Sequence, residues 1–316
     1  MKAIVINEFG TADVLKMAEM PEPVAGEDQI LISVKAIGIN PVDTKVRAGG
    51  HLISKRLKFP AILGWDISGV VEDCGSGITK FKSGDEVFGN LGFPNLSGGY
   101  AEYVLANENE IVIKPKDVPF EEAAALPVVG LTAYQSLHDY LKIKSGGSVL
   151  IQSASGGVGH LAVQLAKIAG AKVFATASGK NKDFVESLGA DRFIDYTSED
   201  FSVIAKNVDA VQDAMGGGVL YDSIRCVKQG GRVVCLPSST KDDPKAIELA
   251  RQRNVDLVWP MMYKSNEQLS LLARMMEERK LRMHVGQVFS FERMADAHRQ
   301  IETHRTVGKV VVKVNG

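Results

Sequence analysis

Ser148-Val149-Leu150-Ile151-Gln152, Ala154-Ser155-Gly156-Gly157-Val158-Gly159 and His160-Leu161-Ala162-Val163-Gln164-Leu165-Ala166-Lys167 follow one another with only Ser153 between the first two. The first stretch is apolar and β-favouring, the second is a glycine-rich turn, and the third places its apolar residues at helical spacing. Strand, glycine turn and helix in this order are the setting in which a glycine motif signifies dinucleotide binding. Without a side chain, Gly156 lets a pyrophosphate approach the backbone, and Gly159 lets the helix pack on the strand. The free N–H groups at the helix start, with Gly157 and Val158, face the phosphates. The usual first glycine is Ala154 here, so the pattern is AxGGVG.

Outward from this turn the chain alternates. Strand candidates are 148–152, 172–176, 192–195, 208–213, 231–236 and 255–259, with helix candidates at 157–169, 180–188 and 218–228. Alternation at this spacing predicts an α/β unit with a doubly wound parallel sheet. Residues 1 to about 123 instead read as short strands separated by turns, an irregular all-β unit. From about Ser265 the tail carries an amphipathic helix, with Leu269, Leu272, Met275 and Met276 on one face, and a final strand over Lys309–Val314.

The 316 residues suffice for two ordinary domains. A hydrophobic content of 45% and a charged content of 24% match a soluble globular protein. The net charge of −1 argues against a nucleic-acid-binding surface. Three cysteines without CxxC spacing make neither a disulfide framework nor a structural zinc site, and fit a reducing compartment. The start, Met1–Ile6, reads as a strand, and the longest apolar stretch is broken by Pro127 and Gly130. A cytoplasmic protein without membrane association is the expectation.

An NAD-specific site places Asp or Glu about twenty residues past the glycine turn, against the ribose 2′-hydroxyl. Ser178 stands near that position, followed by Gly179, Lys180, Asn181 and Lys182. A carboxylate would repel a 2′-phosphate, whereas a hydroxyl, a lysine and backbone N–H groups attract it, so NADPH is the expected cofactor. Tyr196 could stack nearby, and Leu236 and Pro237, closing the 231–236 strand, complete the expected cofactor set.

Further segments fall in one order: Gly38-Ile39-Asn40-Pro41-Val42-Asp43 with Lys45 and Arg47, Leu63-Gly64-Trp65-Asp66-Ile67-Ser68-Gly69, Gly98-Gly99-Tyr100-Ala101-Glu102-Tyr103, Ala124-Ala125-Leu126-Pro127 with Gly130-Leu131-Thr132-Ala133, the ASGGVGH turn, and Gly308-Lys309-Val310-Val311. Together they resemble the medium-chain dehydrogenase/reductase superfamily, in its zinc-independent quinone and alkenal/enone oxidoreductase branch, nearly end to end. The resemblance implies a GroES-like catalytic domain over 1–123 and 263–316 and a Rossmann NADP-binding domain over 124–262. It further implies a cleft between them with the nicotinamide at its base, and a homodimer.

Zinc-dependent members place Cys where Asn40 stands and His-Glu where Trp65-Asp66 stand. Neither Asn nor Trp is a competent zinc ligand, so no metal is expected, and an activated acceptor, a quinone or an enone, suits a site without a Lewis acid. The resemblance puts Asn40 and Asp43 beside the nicotinamide as catalytic candidates. It puts Lys45 at a cofactor-contacting position, near phosphate or the substrate oxygen, and Pro127 and Thr132 along the nicotinamide pocket. The proton donor stays open, with His51 a candidate by its intrinsic pKa. The alternatives are a 2-enoyl thioester reductase and a non-enzymatic NADPH-binding regulatory protein.

Overall fold

The computed structural model describes residues 1–95 and 98–314. The chain divides into two compact units, Met1–Leu131 with Lys264–Gly316, and Thr132–Tyr263.

The first unit begins with β1 (Lys2–Ile6), β2 (Lys16–Glu19) and β3 (Ile30–Ile39), then α1 (Pro41–Arg47), β4 (Ala61–Ile62), β5 (Asp66–Cys74), β6 (Glu86–Asn90), β7 (Tyr103–Ala106), β8 (Ile111–Ile113) and α2 (Phe120–Ala125). Helix α3 (Pro127–Gln135) carries the chain into the second unit. Eight of the ten β3 residues are buried, because β3 is flanked on both sides by partners: β5, β7 and the last strand of the chain. Residues 124–131 fold with the first unit. Their packing is close: a Cβ on Gly38 would lie 2.2 Å from the Ala124 carbonyl oxygen, so only glycine lets α2 rest on β3 there.

The Asn40-Pro41-Val42-Asp43 segment, a turn by composition, opens a helix instead. Pro41 occupies the first helical position, where its missing N–H costs nothing, and the Asp43 carboxylate reaches back to the Asn40 N–H at 2.6 Å.

The second unit runs β9 (Ser148–Ile151), α4 (Gly159–Ile168), β10 (Lys172–Ala177), α5 (Lys182–Ser187), β11 (Arg192–Asp195), α6 (Phe201–Ile204), β12 (Val208–Asp213), α7 (Gly217–Cys226), β13 (Val227–Cys235), α8 (Pro244–Gln252) and β14 (Asp256–Val258). The strands form one sheet in the order β11-β10-β9-β12-β13-β14, with every neighbouring pair parallel. The order therefore reverses between β9 and β12, and ligands of such sheets bind outside the strand ends at that reversal. Three elements differ from expectation: the short helix α6 was not anticipated, and β13 and α8 depart as follows. Strand β13 starts at Val227 rather than 231, with a register irregularity against β12. Helix α8 was not anticipated, although its Asp243 side chain caps Lys245 N–H at 2.9 Å and Ala246 N–H at 3.2 Å.

The chain returns to the first unit as α9 (Asn266–Glu277), β15 (Val285–Ser290), α10 (Met294–Glu302) and β16 (Lys309–Lys313). Strand β16 pairs antiparallel with β3, Val310 opposite Ile39 and Val312 opposite Ile37. That register sets Lys309 beside the start of α1.

Candidate active site

In the second unit the glycine turn leaves β9 at the sheet reversal. Ser153 takes φ 54°, and the Ala154 N–H donates to the Thr176 carbonyl at 2.8 Å, which ties the turn to the end of β10. A Cβ on Gly159 would come within 2.2 Å of the Ser153 carbonyl oxygen and 2.8 Å of the Ala154 Cα. No side chain fits where α4 leaves the turn, and this close approach is what the last glycine of the motif provides. Gly156, Gly157 and Val158 are half-buried, so their backbone remains partly open to solvent.

The neighbouring strand end brings the expected ribose residues together. The Asn181 amide donates to the Ser155 hydroxyl at 3.1 Å and to the Ser178 hydroxyl at 3.2 Å, bridging the glycine turn to the end of β10. Lys180 and Gly179 are exposed, and Tyr196 is 61% exposed. The sequence reading missed Asp195, at the end of β11. Its carboxylate accepts from the Thr197 hydroxyl at 2.7 Å and the Thr197 N–H at 3.0 Å, and a Cβ on Gly179 would lie 2.4 Å from it. Hydrogen bonds from Thr197 hold it below the ordinary carboxylate range. An anion thus neighbours Ser178 and Lys180, one strand beyond where the spacing rule looks. On the other side of the reversal Asp213 accepts from Met215 N–H, Gly216 N–H and the Ser223 hydroxyl. Its carbonyl receives the Leu236 N–H at 2.8 Å, fixing the start of the Leu236-Pro237 segment.

The first unit holds a buried polar cluster around Asn40. The Asn40 amide donates to Asp66 at 2.9 Å and accepts from the Lys309 ammonium at 2.6 Å, so both of its ends are committed. Asp66 also accepts from the Asn90 amide at 2.8 Å and the Val128 N–H at 3.2 Å, while Lys309 donates to the Ile39 carbonyl at 2.6 Å. Burial pushes Asp66 above the ordinary carboxylate range, opposed by Lys309 and the two amides. Burial likewise lowers Lys309, against the pull of Asp66 and Asp43. Asp43 is pushed up to about 7, first by burial and then by the Asp66 charge, against the Asn40 N–H. Burial thus disfavours holding both carboxylates charged beside the single Lys309 ammonium.

The remaining expected residues scatter. Lys45 is exposed on α1. His51 is the cap of a short 3₁₀ turn, its Nδ1 accepting from the Ile53 N–H at 3.3 Å. Partial burial and the nearby Lys45 lower its pKa, which leaves less of the protonated form at neutral pH. Pro127 is buried in the first unit, and Thr132, in the second, accepts from the Ser136 hydroxyl through its carbonyl at 2.5 Å. Trp65 is buried and donates to the Asn95 carbonyl at 2.6 Å. Among the described residues no group of three His, Cys, Asp or Glu side chains is placed to hold a metal ion.

A parallel sheet reversing at a glycine turn, in a chain that also carries a β unit with a buried polar turn, defines a two-domain nicotinamide-dependent oxidoreductase architecture. Comparison supplies the lineage. Residues 26–116 match the alcohol dehydrogenase GroES-like domain, and residues 188–312 match the zinc-binding dehydrogenase family. The chain is 36% identical to the 2-methylene-furan-3-one reductase of Solanum lycopersicum, over 99% of this chain and 79% of that protein. It is 37% identical to an NADPH-dependent alkenal/one oxidoreductase, chloroplastic, of Arabidopsis thaliana, over the same shares. The solved quinone oxidoreductase of Coxiella burnetii superposes with a TM-score of 0.94 at 40% identity, covering 100% of this chain and 99% of that one. The chain belongs to the medium-chain dehydrogenase/reductase superfamily, quinone oxidoreductase branch. Its first unit is the GroES-like domain and its second the Rossmann-like domain of that architecture.

Proposed function

We propose that this protein is an NADPH-dependent oxidoreductase that reduces quinones, or the C=C bond of α,β-unsaturated carbonyls, without a metal. The observation that carries the reading is the glycine turn at the sheet reversal, with Gly159 packed too tightly for any side chain and Ser155, Asn181 and Ser178 joined beside it. These residues fit a dinucleotide: backbone at Gly157 and Val158 for the pyrophosphate, with the Gly156 N–H already given to the Ser153 carbonyl at 2.9 Å, and hydroxyl and ammonium groups at Ser178 and Lys180 for a 2′-phosphate. Bound NADPH supplies a hydride from C4 of its nicotinamide.

The residues of the first unit supply order rather than acid. Asn40 is locked by Asp66 and Lys309, and Trp65 by Asn95, so the two positions that carry zinc ligands in other members are taken up by internal hydrogen bonds. An acceptor already activated by conjugation needs no Lewis acid, and that is the chemistry printed in the names of the plant relatives. Asn40 and Asp43 serve here as positioning residues, closed off from solvent. Solvent delivers the proton. Among the described residues no helix is long and apolar enough to cross a membrane. The enzyme is taken to act in the cytoplasm as a homodimer, and its three cysteines are free thiols, as a reducing compartment would keep them.

The experiment is a parallel assay of NADPH oxidation with 1,4-benzoquinone, 9,10-phenanthrenequinone, trans-2-hexenal and crotonyl-CoA, with and without a chelator. Turnover of a quinone or of hexenal, unchanged by chelation, is the expected result. Turnover of crotonyl-CoA alone, or loss of activity with a chelated zinc ion, would overturn it.

A further inference from the structure

Asn90 ends β6 and is 2% exposed. Its amide nitrogen donates to Asp66 Oδ1 at 2.8 Å, whereas its own Oδ1 has no hydrogen-bond partner among the described residues. The same residue lines a cavity of about 10 Å³ in the first unit, together with Glu110, Leu131, Lys264, Ser265 and Leu269. A buried water needs about 10–15 Å³ and two to four polar partners. The cavity therefore has room for one water-sized guest.

The chemistry of the wall decides which guest. Glu110 is buried, and each of its oxygens already accepts twice. Its Oε1 takes the Gly92 N–H and the Lys264 ammonium, both at 2.8 Å, and its Oε2 takes the Asn107 N–H at 3.1 Å and side-chain amide at 3.0 Å. A carboxylate has about four acceptor sites, so none remains for a cation, and the Lys264 ammonium repels one. That ammonium has three donors and gives one to Glu110. The Ser265 hydroxyl accepts the Gln268 N–H at 3.2 Å and keeps its own hydrogen to give. The guest must accept from this side and donate to Asn90 Oδ1. A neutral group of this size that does both is water.

We infer that the cavity binds one water molecule, which accepts from Lys264 and donates to Asn90 Oδ1, and that Asn90 held in this way is a positioning residue for Asp66 and, through it, for Asn40. Asp66 Oδ1 takes the Asn90 amide, while its Oδ2 takes the Asn40 amide at 2.9 Å and the Val128 N–H at 3.2 Å. An Asn90 amide turned over would set its oxygen against the Asp66 carboxylate, acceptor against acceptor. A donor in the cavity favours the observed orientation. The far wall is itself fastened, because the Asn266 amide donates to the Glu108 and Ile111 carbonyls at 3.0 and 2.9 Å. The inference rests on the proposed function only in counting Asn40 as part of the active site.

The first test is a crystal structure of the full chain at about 1.2 Å resolution or better, where hydrogens become visible. The expected result is one water oxygen within about 2.7–3.2 Å of both Asn90 Oδ1 and Lys264 Nζ, with the Asn90 nitrogen on Asp66. An unfilled cavity, an anomalous signal there after a rubidium soak, or an Asn90 nitrogen facing the cavity would overturn the inference. The second test follows solvent exchange of the Asn40 side-chain amide by NMR in ¹⁵N-labelled protein, with the buried Trp65 indole N–H as an internal reference. Asn90→Leu is expected to speed exchange at Asn40 about tenfold, the loss of one hydrogen bond, and to leave Trp65 unchanged. Unchanged exchange at Asn40, or equal acceleration at both, would overturn the positioning role. If Asn90→Leu does not fold, Asn90→Ser, too short to reach Asp66, is read in the same way. Neither readout is turnover, so absence of NADPH-dependent activity would count against the proposed function alone.

Discussion

His298 shows how a single residue can tie stability to pH. Its folded-state pKa is lowered to about 3 from an ordinary 6.5. Between these values the unfolded chain binds a proton that the folded protein refuses, so stability falls as pH drops from about 6.5 toward 3. Asp43, raised to about 7, works the other way: the folded state holds its proton between 3.8 and 7, so stability rises on acidification through that window. The two effects overlap and partly cancel, which hides both in the wild type. Comparing wild type with His298→Gln separates them. Denaturant unfolding between pH 6 and 4 should show the wild type losing about 1.4 kcal/mol per pH unit relative to the variant. Parallel curves over that range would mean that His298 is not buried neutral. The sequence alone offered no access to the point, because Arg47 and Tyr100 meet His298 from sites 251 and 198 residues away along the chain.

At the scale of elements, strand ends decide the cofactor preference. The end of β10 carries Ser178 and Lys180 and lacks the acid of NAD-specific sites, which argues for NADPH. The end of β11 brings Asp195 against Gly179, and its charge opposes that preference. Asp195 Oδ1 is engaged by the Thr197 hydroxyl and N–H, and the expected outcome still favours the phosphate, by a smaller margin than the β10 residues alone would give. Dissociation constants from fluorescence titration should show NADPH bound about ten- to a hundredfold tighter than NADH, the range of one charge-assisted contact. Ser178→Asp with Lys180→Glu should reverse the order. Equal affinities in the unmodified protein would remove the basis for the assignment. The glycine turn, β9, β10 and β12 were legible in the sequence because each is a local pattern: an apolar run, a turn, a helical period. Asp195 was not, because its closeness to Gly179 is a product of parallel pairing, Ala177 opposite Asp195, and not of spacing along the chain. The start of α1 was not legible for a related reason. Asn-Pro and Asp favour turns and helix starts alike, and the hydrogen bond from Asn40 N–H to Asp43 tips the balance only once Lys309 and Asp66 fix the asparagine.

For the molecule as a whole, the sheet of the second unit ends on β14, paired on one side only within the chain. Beyond it Met261 is 68% exposed and Tyr263 45%. An unpaired apolar strand edge invites another strand, and a second copy of the chain continuing the sheet across a twofold axis is the partner proposed here. Light scattering at micromolar concentration should give about twice the 34.1 kDa chain mass, lost on Val258→Pro. A mass near that of one chain would reject the dimer. The division into a β unit and a doubly wound unit was visible from the change in sequence pattern near Ala123. The assignment of residues 124–131 to the first unit was not, since it depends on α2 lying against Gly38.

The proposed hydride transfer runs from NADPH to the β-carbon of an enone acceptor and not to its carbonyl carbon. Its most direct test is turnover of trans-2-hexenal with NADPH deuterated at the transferring C4 position, using protein freed of metal, with the product read by mass spectrometry and NMR. Hexanal carrying one deuterium at C3 is the expected product. Deuterium at C1 of hexenol would show carbonyl reduction of the alcohol-dehydrogenase kind, and would contradict it.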